Sequence, residues 1–154
     1  VIILALISIL GSLAFIYVNT LAINTGVSSS EDKTYSFGEA FSMQTLENAL
    51  ESNDPVFVEM TADWCITCKV NHKTSINIDS TKKVFADENV RFLIGDWTNE
   101  DAVITDYLRS FGRNGVPIYV FYGRPDANGH RPEPVLLPQI LTPGIVKNAV
   151  LKDE

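Results

Sequence analysis

Apolar residues fill 18 of the first 23 positions, Val1 to Ile23, and the exceptions Ser8, Gly11, Ser12, Asn19 and Thr20 are small or able to hydrogen-bond within a helix. At about 1.5 Å per residue such a stretch is roughly 34 Å long as a helix, enough to cross a hydrocarbon core of about 30 Å. The pattern predicts one transmembrane helix over residues 1–23. A secretory signal peptide is the competing reading, with Thr20 and Ala22 as a faint cleavage site. Against it, the run is long for a signal core, no basic segment precedes it, and the first residue is not Met, which suggests a piece of a longer protein. Residues 24–34 (NTGVSSSEDKT) are small and polar and predict a flexible tether.

Over residues 35–154 the pattern changes to short periodic segments of both kinds. Ser42 to Leu50 places Met43, Leu46, Ala49 and Leu50 at helical spacing, with Ser42 as its cap. Pro55 closes a turn, and VFVEMT (Val56 to Thr61) reads as a strand. A second helix opens near Cys65, and a third spans Thr81 to Ala86 with Asp79 or Ser80 as cap. Val90 to Ile94 reads as a buried strand. Glu100 to Phe111 carries a helical face of Val103, Ile104, Tyr107, Leu108 and Phe111, with Gly112 placed to end it. Ile118 to Tyr122 and Val135 to Leu137 read as a hairpin, with turn residues at Asp126 to Gly129. The polar, proline-rich loop Arg124 to Pro134 forms its tip. Thr142-Pro143 caps and starts a closing helix through Leu151. Strands alternating with helices imply parallel crossovers, and the terminal hairpin adds antiparallel edge strands. The expected class is α/β, a central mixed sheet flanked by helices.

Charge narrows the partners. Among 154 residues there are 12 Lys+Arg and 19 Asp+Glu, a formal net charge of −7, so no basic footprint for nucleic acid exists. The charged residues all lie between Glu31 and Glu154, and no Lys or Arg stands between the apolar run and Lys33. By the positive-inside tendency this favours a non-cytoplasmic exit for the C-terminal side. Two cysteines are too few for a disulfide-stapled mini-fold or a four-cysteine zinc site.

Those cysteines carry the chemistry. Trp64-Cys65-Ile66-Thr67-Cys68-Lys69 follows a strand where a helix begins, and three residues of separation let the two sulfurs meet across the first turn as a Cys65–Cys68 disulfide. At the helix N-terminus, free backbone N–H groups and the positive end of the dipole favour a Cys65 thiolate over a reference thiol pKa of about 8.5. Cys65 then attacks a partner's disulfide, and Cys68, one turn deeper, resolves the mixed disulfide. A structural disulfide closing so small a loop would be a weak staple. A metal site would have only His72 and His130 as further candidates, and the spacing favours redox chemistry. Glu59 sits in the strand before the motif. On a central strand its carboxyl is desolvated, with a raised pKa suited to exchanging a proton with Cys68; on an edge strand it is in water. Asp63 reads as a helix cap. Lys69 either supports the thiolate or is solvated, and His72 either tunes Cys68 and relays protons or lies on the surface. Pro117 begins a strand, where a cis Val116-Pro117 bond would leave the Val116 backbone free to pair with an extended peptide.

Thr61 to Lys69 (TADWCITCK), Glu59 six residues before the first cysteine, and Gly115-Val116-Pro117 together resemble the thioredoxin superfamily. More narrowly, they resemble the C-terminal periplasmic domain of the DsbD/ScsB family of thiol:disulfide interchange proteins. Further points of likeness are Asp96-Trp97-Thr98, the Gly112 to Pro117 segment (GRNGVP), and LPQILTP from Leu137 to Pro143. The resemblance implies a thioredoxin-like fold over residues 35–154, preceded by the family's last membrane helix. It implies a protein-disulfide reductase without bound cofactor or metal, anchored in the bacterial inner membrane with its soluble domain in the periplasm. Electrons would come from the membrane domain, the partners being the membrane and N-terminal domains of the full-length protein and oxidised periplasmic thiol proteins. Residue by residue, it makes Cys65 the nucleophile, Cys68 the resolving thiol, Glu59 the buried acid and Pro117 the cis proline. His72 departs from the family, standing where many relatives carry a second acid. Open alternatives are a single-span thioredoxin-like protein of cytochrome c maturation and a non-catalytic metal-binding or docking module.

Overall fold

Strand-forming runs bounded by turn residues assemble into one sheet whose two faces take up most of the apolar side chains. The computed structural model describes residues 37–152. In chain order the elements are β1 (Glu39–Ala40), α1 (Met43–Leu50), β2 (Val56–Thr61), α2 (Ile66–Asn71) continued by a π-helical turn (His72–Ile76), α3 (Asp79–Asp87), β3 (Arg91–Asp96), α4 (Ala102–Ser110), β4 (Ile118–Tyr122), β5 (Val135–Leu136) and α5 (Pro143–Leu151). The described residues form a five-stranded sheet in the order β1-β3-β2-β4-β5. Strand β3 runs parallel to both β1 and β2, β4 runs antiparallel to β2, and β5 antiparallel to β4. The mixed sheet and hairpin are as the sequence predicts, with one correction. Only β5 is an edge strand of the hairpin, because β4 is inserted beside β2 and is buried along its length.

Alternation along the strands sorts the core. Val56, Val58 and Met60 of β2 face Leu46 and Ala49 of α1 and Ile104, Tyr107 and Leu108 of α4. Phe57, with Phe92 and Ile94 of β3 and Tyr119 and Phe121 of β4, faces Ile76, Phe85 of α3 and Val146 and Val150 of α5. Glu59 therefore points into the second layer, beneath α2, α3 and α5. With helices on both faces, β2 is buried from Val56 to Met60, as expected of a central strand, and only Thr61 at its end is partly exposed. The Met60 side chain packs over Gly95, where a Cβ would collide with the Met60 sulfur.

The caps explain where helices start. Ser42 and Thr45 form a reciprocal capping box on α1, Asp101 accepts the Ile104 N–H at 3.0 Å, and Thr142 accepts that of Ile145 with Pro143 at the first helical position. Gly112, at φ +67°, ends α4. At α3 the expectation fails: Ile78 is the N-cap without a side-chain bond, and Asp79 lies in the first turn, where a carboxylate favours the helix dipole. Strand β1 and the π-helical turn were not predicted, and α4 starts two residues later than the pattern suggests because Glu100 has a positive φ of 54°. The predicted transmembrane helix and tether, residues 1–23 and 24–34, lie outside the described residues. Within the described residues no helix is long and apolar enough to cross a membrane.

Candidate active site

The chain leaves β2 at Thr61 and turns into α2 through Ala62-Asp63-Trp64, which sets both cysteines at the C-terminal end of the sheet. Cys65 and Cys68 are joined as a disulfide with Cα atoms 5.3 Å apart. Cys65 is itself the N-cap of α2, in extended conformation, and its sulfur accepts the Cys68 N–H at 3.2 Å. Asp63 is thus not the cap. Its place is taken because the helix begins one residue after Cys65, so a sulfur occupies the position from which a side chain reaches the first-turn donors. Cys65 retains 7% of its surface, whereas Cys68 is fully buried against Ala62 and Val116. Cys65 thus keeps a small exposed surface and Cys68 keeps none.

The loop after β3 holds this turn from one side. The Asp63 N–H donates to Thr98 Oγ1 at 2.8 Å, and Trp64 Nε1 donates to the Thr98 carbonyl at 3.2 Å. Asp96 in turn accepts from the Thr98 hydroxyl and from the Thr98 N–H. Trp64 is 55% exposed, its ring 6.1 Å from that of Trp97, whose Nε1 donates to Thr105 at 2.8 Å. Val116 and Pro117 are joined by a cis peptide bond beside the cysteines, with Val116 packed on them.

Glu59 is the buried acid the central-strand reading requires: it is fully inaccessible, paired in register with Ile94 on one side and Tyr119 on the other. Burial pushes its carboxyl above the ordinary range, opposed by its bond to His72. That partner is the main departure from expectation. Among the described residues the Glu59 hydrogen bond runs to His72, Oε2 to Nδ1 at 2.8 Å, and Oε1 is buried without a partner. His72 is half-buried, and it meets Cys68 through the backbone, its N–H donating to the Cys68 carbonyl, while its ring turns to Glu59. It stands four residues after Cys68, on the same side of the helix, with its side chain 31% exposed. The bond to Glu59 raises its pKa, against burial and the nearby Lys82 charge. Lys69 is exposed and, with Asp63, Asp96 and His72, lines an open cavity of about 260 Å³.

Residues that the sequence did not single out complete the frame. Asn71, buried at the end of α2, donates to the Tyr119 hydroxyl at 3.1 Å and the Gln139 carbonyl at 2.7 Å, and accepts the Leu141 N–H at 3.2 Å. Ser75 donates to the Leu141 carbonyl at 3.0 Å. The LPQILTP segment is thereby tied to the cysteine helix. An asparagine on a buried helix face was the only sequence signal for this. His130 lies at the hairpin tip, its N–H bonded to Asp126, and among the described residues no cluster of three or more His, Cys, Asp or Glu is placed to hold a metal ion.

A mixed sheet with helices on both faces and a Cys-x-x-Cys pair at the mouth of a helix defines a thioredoxin-like protein, and this combination supports thiol–disulfide oxidoreductase activity. The chain belongs to a thioredoxin-like family, whose model matches residues 39–124, more than half its length. Among solved structures it is similar to the reduced C-terminal domain of DsbD from Neisseria meningitidis, at 24% identity and a TM-score of 0.54, covering 75% of this chain and 99% of that one. It is also similar to chloroplastic thioredoxin z, at 18% identity and a TM-score of 0.55, covering 75% and 93%. A thioredoxin from Thermus thermophilus is similar at 17% and 0.54, covering 71% and 81%. At these identities the likeness speaks to the fold. No curated protein matches the chain.

Proposed function

We propose that the chain is a protein-disulfide reductase working by thiol–disulfide exchange, with Cys65 as nucleophile and Cys68 as resolving thiol. The observation that carries this reading is the asymmetry of the pair. Cys65 keeps 7% of its surface and its sulfur receives a first-turn N–H, which stabilises a thiolate, whereas Cys68 has no exposed surface and lies one turn behind. In the reduced protein the Cys65 thiolate attacks a disulfide sulfur of a partner. A new S–S bond forms, the partner's bond breaks, and its other sulfur leaves as thiolate. Cys68 then gives up its proton, with Glu59 as acceptor, and attacks Cys65. The second partner sulfur leaves, and two electrons have passed from the dithiol to the partner.

Likeness to the DsbD C-terminal domain and the apolar run at residues 1–23 support a narrower reading. In it the domain hangs from the bacterial inner membrane into the periplasm, receives electrons from a membrane domain of the full-length protein, and passes them to oxidised periplasmic proteins. Val116 beside the cysteines would present its backbone to the extended partner segment.

Insulin reduction with a dithiol donor tests the chemistry: Cys65→Ala should abolish turnover, and Cys68→Ala should accumulate a mixed disulfide. A pair potential near that of thioredoxin, about −270 mV, supports a reductant, and one near −120 mV an oxidant. Unchanged turnover in Cys65→Ala would overturn the assignment.

A further inference from the structure

We propose that His72 is the proton-exchange partner of Glu59, coupling the buried carboxyl to solvent through its imidazole ring each time the cysteine pair changes redox state. The proposal rests on the reading of Glu59 as proton acceptor for Cys68, and it assigns the route by which that acid is kept in balance with water. Three observations converge on it. Nδ1 of His72 lies 2.8 Å from Glu59 Oε2, while Oε1 of the same carboxyl is buried with no partner, a free acceptor for an incoming proton. The ring retains 31% of its surface and opens on the cavity lined by Thr61, Asp63, Lys69 and Asp96. Cys68 stands four residues before His72, and the His72 N–H closes onto the Cys68 carbonyl, so the same turn carries both groups.

The charges facing the pair suit the exchange. Tyr119, opposite Glu59 on β4, is held in its neutral form by burial and by the Glu59 charge, so it does not compete as a base. Lys82 of α3 disfavours the imidazolium, and Asp63 and Asp96 beside the cavity oppose Lys69. Before resolution the pair is imidazolium and carboxylate, with Nδ1–H donated to Oε2. Cys68 gives its thiol proton to Oε1 and becomes the attacking thiolate. The imidazolium has then lost its counter-charge and releases a proton from Nε2 to water, while Nδ1–H stays on Oε2. One proton leaves Cys68, one remains on Glu59, and one enters solvent in place of it. On reduction Glu59 returns its proton to Cys68, and Nε2 takes one from water.

The test follows release of thionitrobenzoate from its mixed disulfide with Cys65, from pH 5 to 9, in the full 154-residue chain. His72→Asn can donate to Oε2 as Nδ1 does and cannot titrate. We expect it to slow release about tenfold or more and to remove the inflection that the wild-type profile shows, with Glu59→Gln giving a like loss. The double variant should be no slower than Glu59→Gln, because the two act as one unit. Independently of turnover, the His72 ring resonances should titrate above the ordinary value of about 6.5 in the wild type and fall back towards it in Glu59→Gln. A wild-type rate and profile in His72→Asn would overturn the proposal, as would a double variant slowed by the product of the singles, while leaving the exchange function standing. If the wild type releases no thionitrobenzoate, the function falls and this proposal with it.

Discussion

Glu59 and His72 are a buried acid and a half-buried base whose pKa values are both raised, Glu59 chiefly by desolvation and His72 chiefly by its bond to Glu59. The direction fixes how stability follows pH. The folded chain keeps protons that the unfolded chain releases above about 4.5 at the glutamate and about 6.5 at the histidine, so it binds more protons through that window. Their contribution is complete below those values and lost as pH rises through the raised ones. The urea midpoint of the oxidised protein is therefore expected to fall between pH 5 and pH 9. Glu59→Gln should flatten most of that fall, since it removes one titrating group and the cause of the other's shift; a midpoint that rises over this range would contradict the assignment. At Cys65 the N-cap position gives a second expectation. In the reduced protein iodoacetamide should alkylate Cys65 with an apparent pKa below about 8.5, while Cys68 stays unmodified until the protein unfolds. Peptide mass mapping over pH decides it, and equal labelling of both thiols would contradict it. The Cys65–Cys68 pairing and the burial of Glu59 were legible because they follow from local facts, a three-residue spacing and a run of strand formers without Gly or Pro. The bond between Glu59 and His72 was not, since it joins residues 13 apart on different elements, and nothing in HKTSI marks which ring nitrogen finds a partner.

Elements were readable where one rule sufficed. Strand β2 and β4 match their apolar runs residue for residue, and α1 and α5 start where a capping side chain stands. Errors fall where two rules compete. Strand β1 is two residues long, too short to show a period, and exists because β3 offers an unpaired edge. The cysteine helix does not end at Asn71 but widens into a π-helical turn, closed by the Asn77 N–H on the His72 carbonyl at 2.7 Å; such a turn has the same composition as an α-helical one. Its placement depends on Asn71, whose amide meets β4 and the LPQILTP segment at once. Asn71→Ala should leave the Leu141 N–H without its partner in a buried setting, while the Gln139 carbonyl lies on an exposed residue, and cost about 1–3 kcal/mol, the range for one unsatisfied buried group. Asn71→Asp keeps the acceptor for Leu141 and loses both donations, so it should remain well below wild type. Urea denaturation checks both, and a loss under about 0.5 kcal/mol for Asn71→Ala would show the segment to be held by packing alone. Gly95→Ala is a parallel case. Its Cβ would meet the Met60 sulfur on the adjoining strand, and about 1–3 kcal/mol is expected for the displacement.

At the scale of the whole domain, the α/β class and mixed sheet were legible because alternation of strands and helices admits few topologies, but the contacts that close the molecule were not. The hairpin loop from Arg124 to Pro134 reads as a polar tip with no task. In the structure its Arg131 reaches back across the sheet's edge to the end of α1. There the guanidinium donates to the carbonyls of Leu50 at 3.0 Å, Ser52 at 2.7 Å and Asp54 at 3.2 Å, and to that of Gly123 on its own hairpin. These are carbonyls that the end of a helix and a tight turn leave without intrahelical partners, and a forked cation satisfies several together. Arg131 thus joins segments about 80 residues apart and seats α1, β2 and the β4–β5 hairpin as one unit. Removing it should act on stability and leave thiol chemistry alone, since none of its partners touches the cysteine turn. Arg131→Ala is expected to lower the unfolding free energy by about 2–3 kcal/mol, within the range for bonds to a charged group, here with partly buried acceptors. Arg131→Lys should restore less than half, because a single ammonium cannot span acceptors on both sides of the fork. Urea denaturation alongside thionitrobenzoate release separates the two effects: a stability loss with an unchanged release rate under native conditions is the expected result, and a slowed release would mean that the hairpin and the cysteine turn are mechanically coupled.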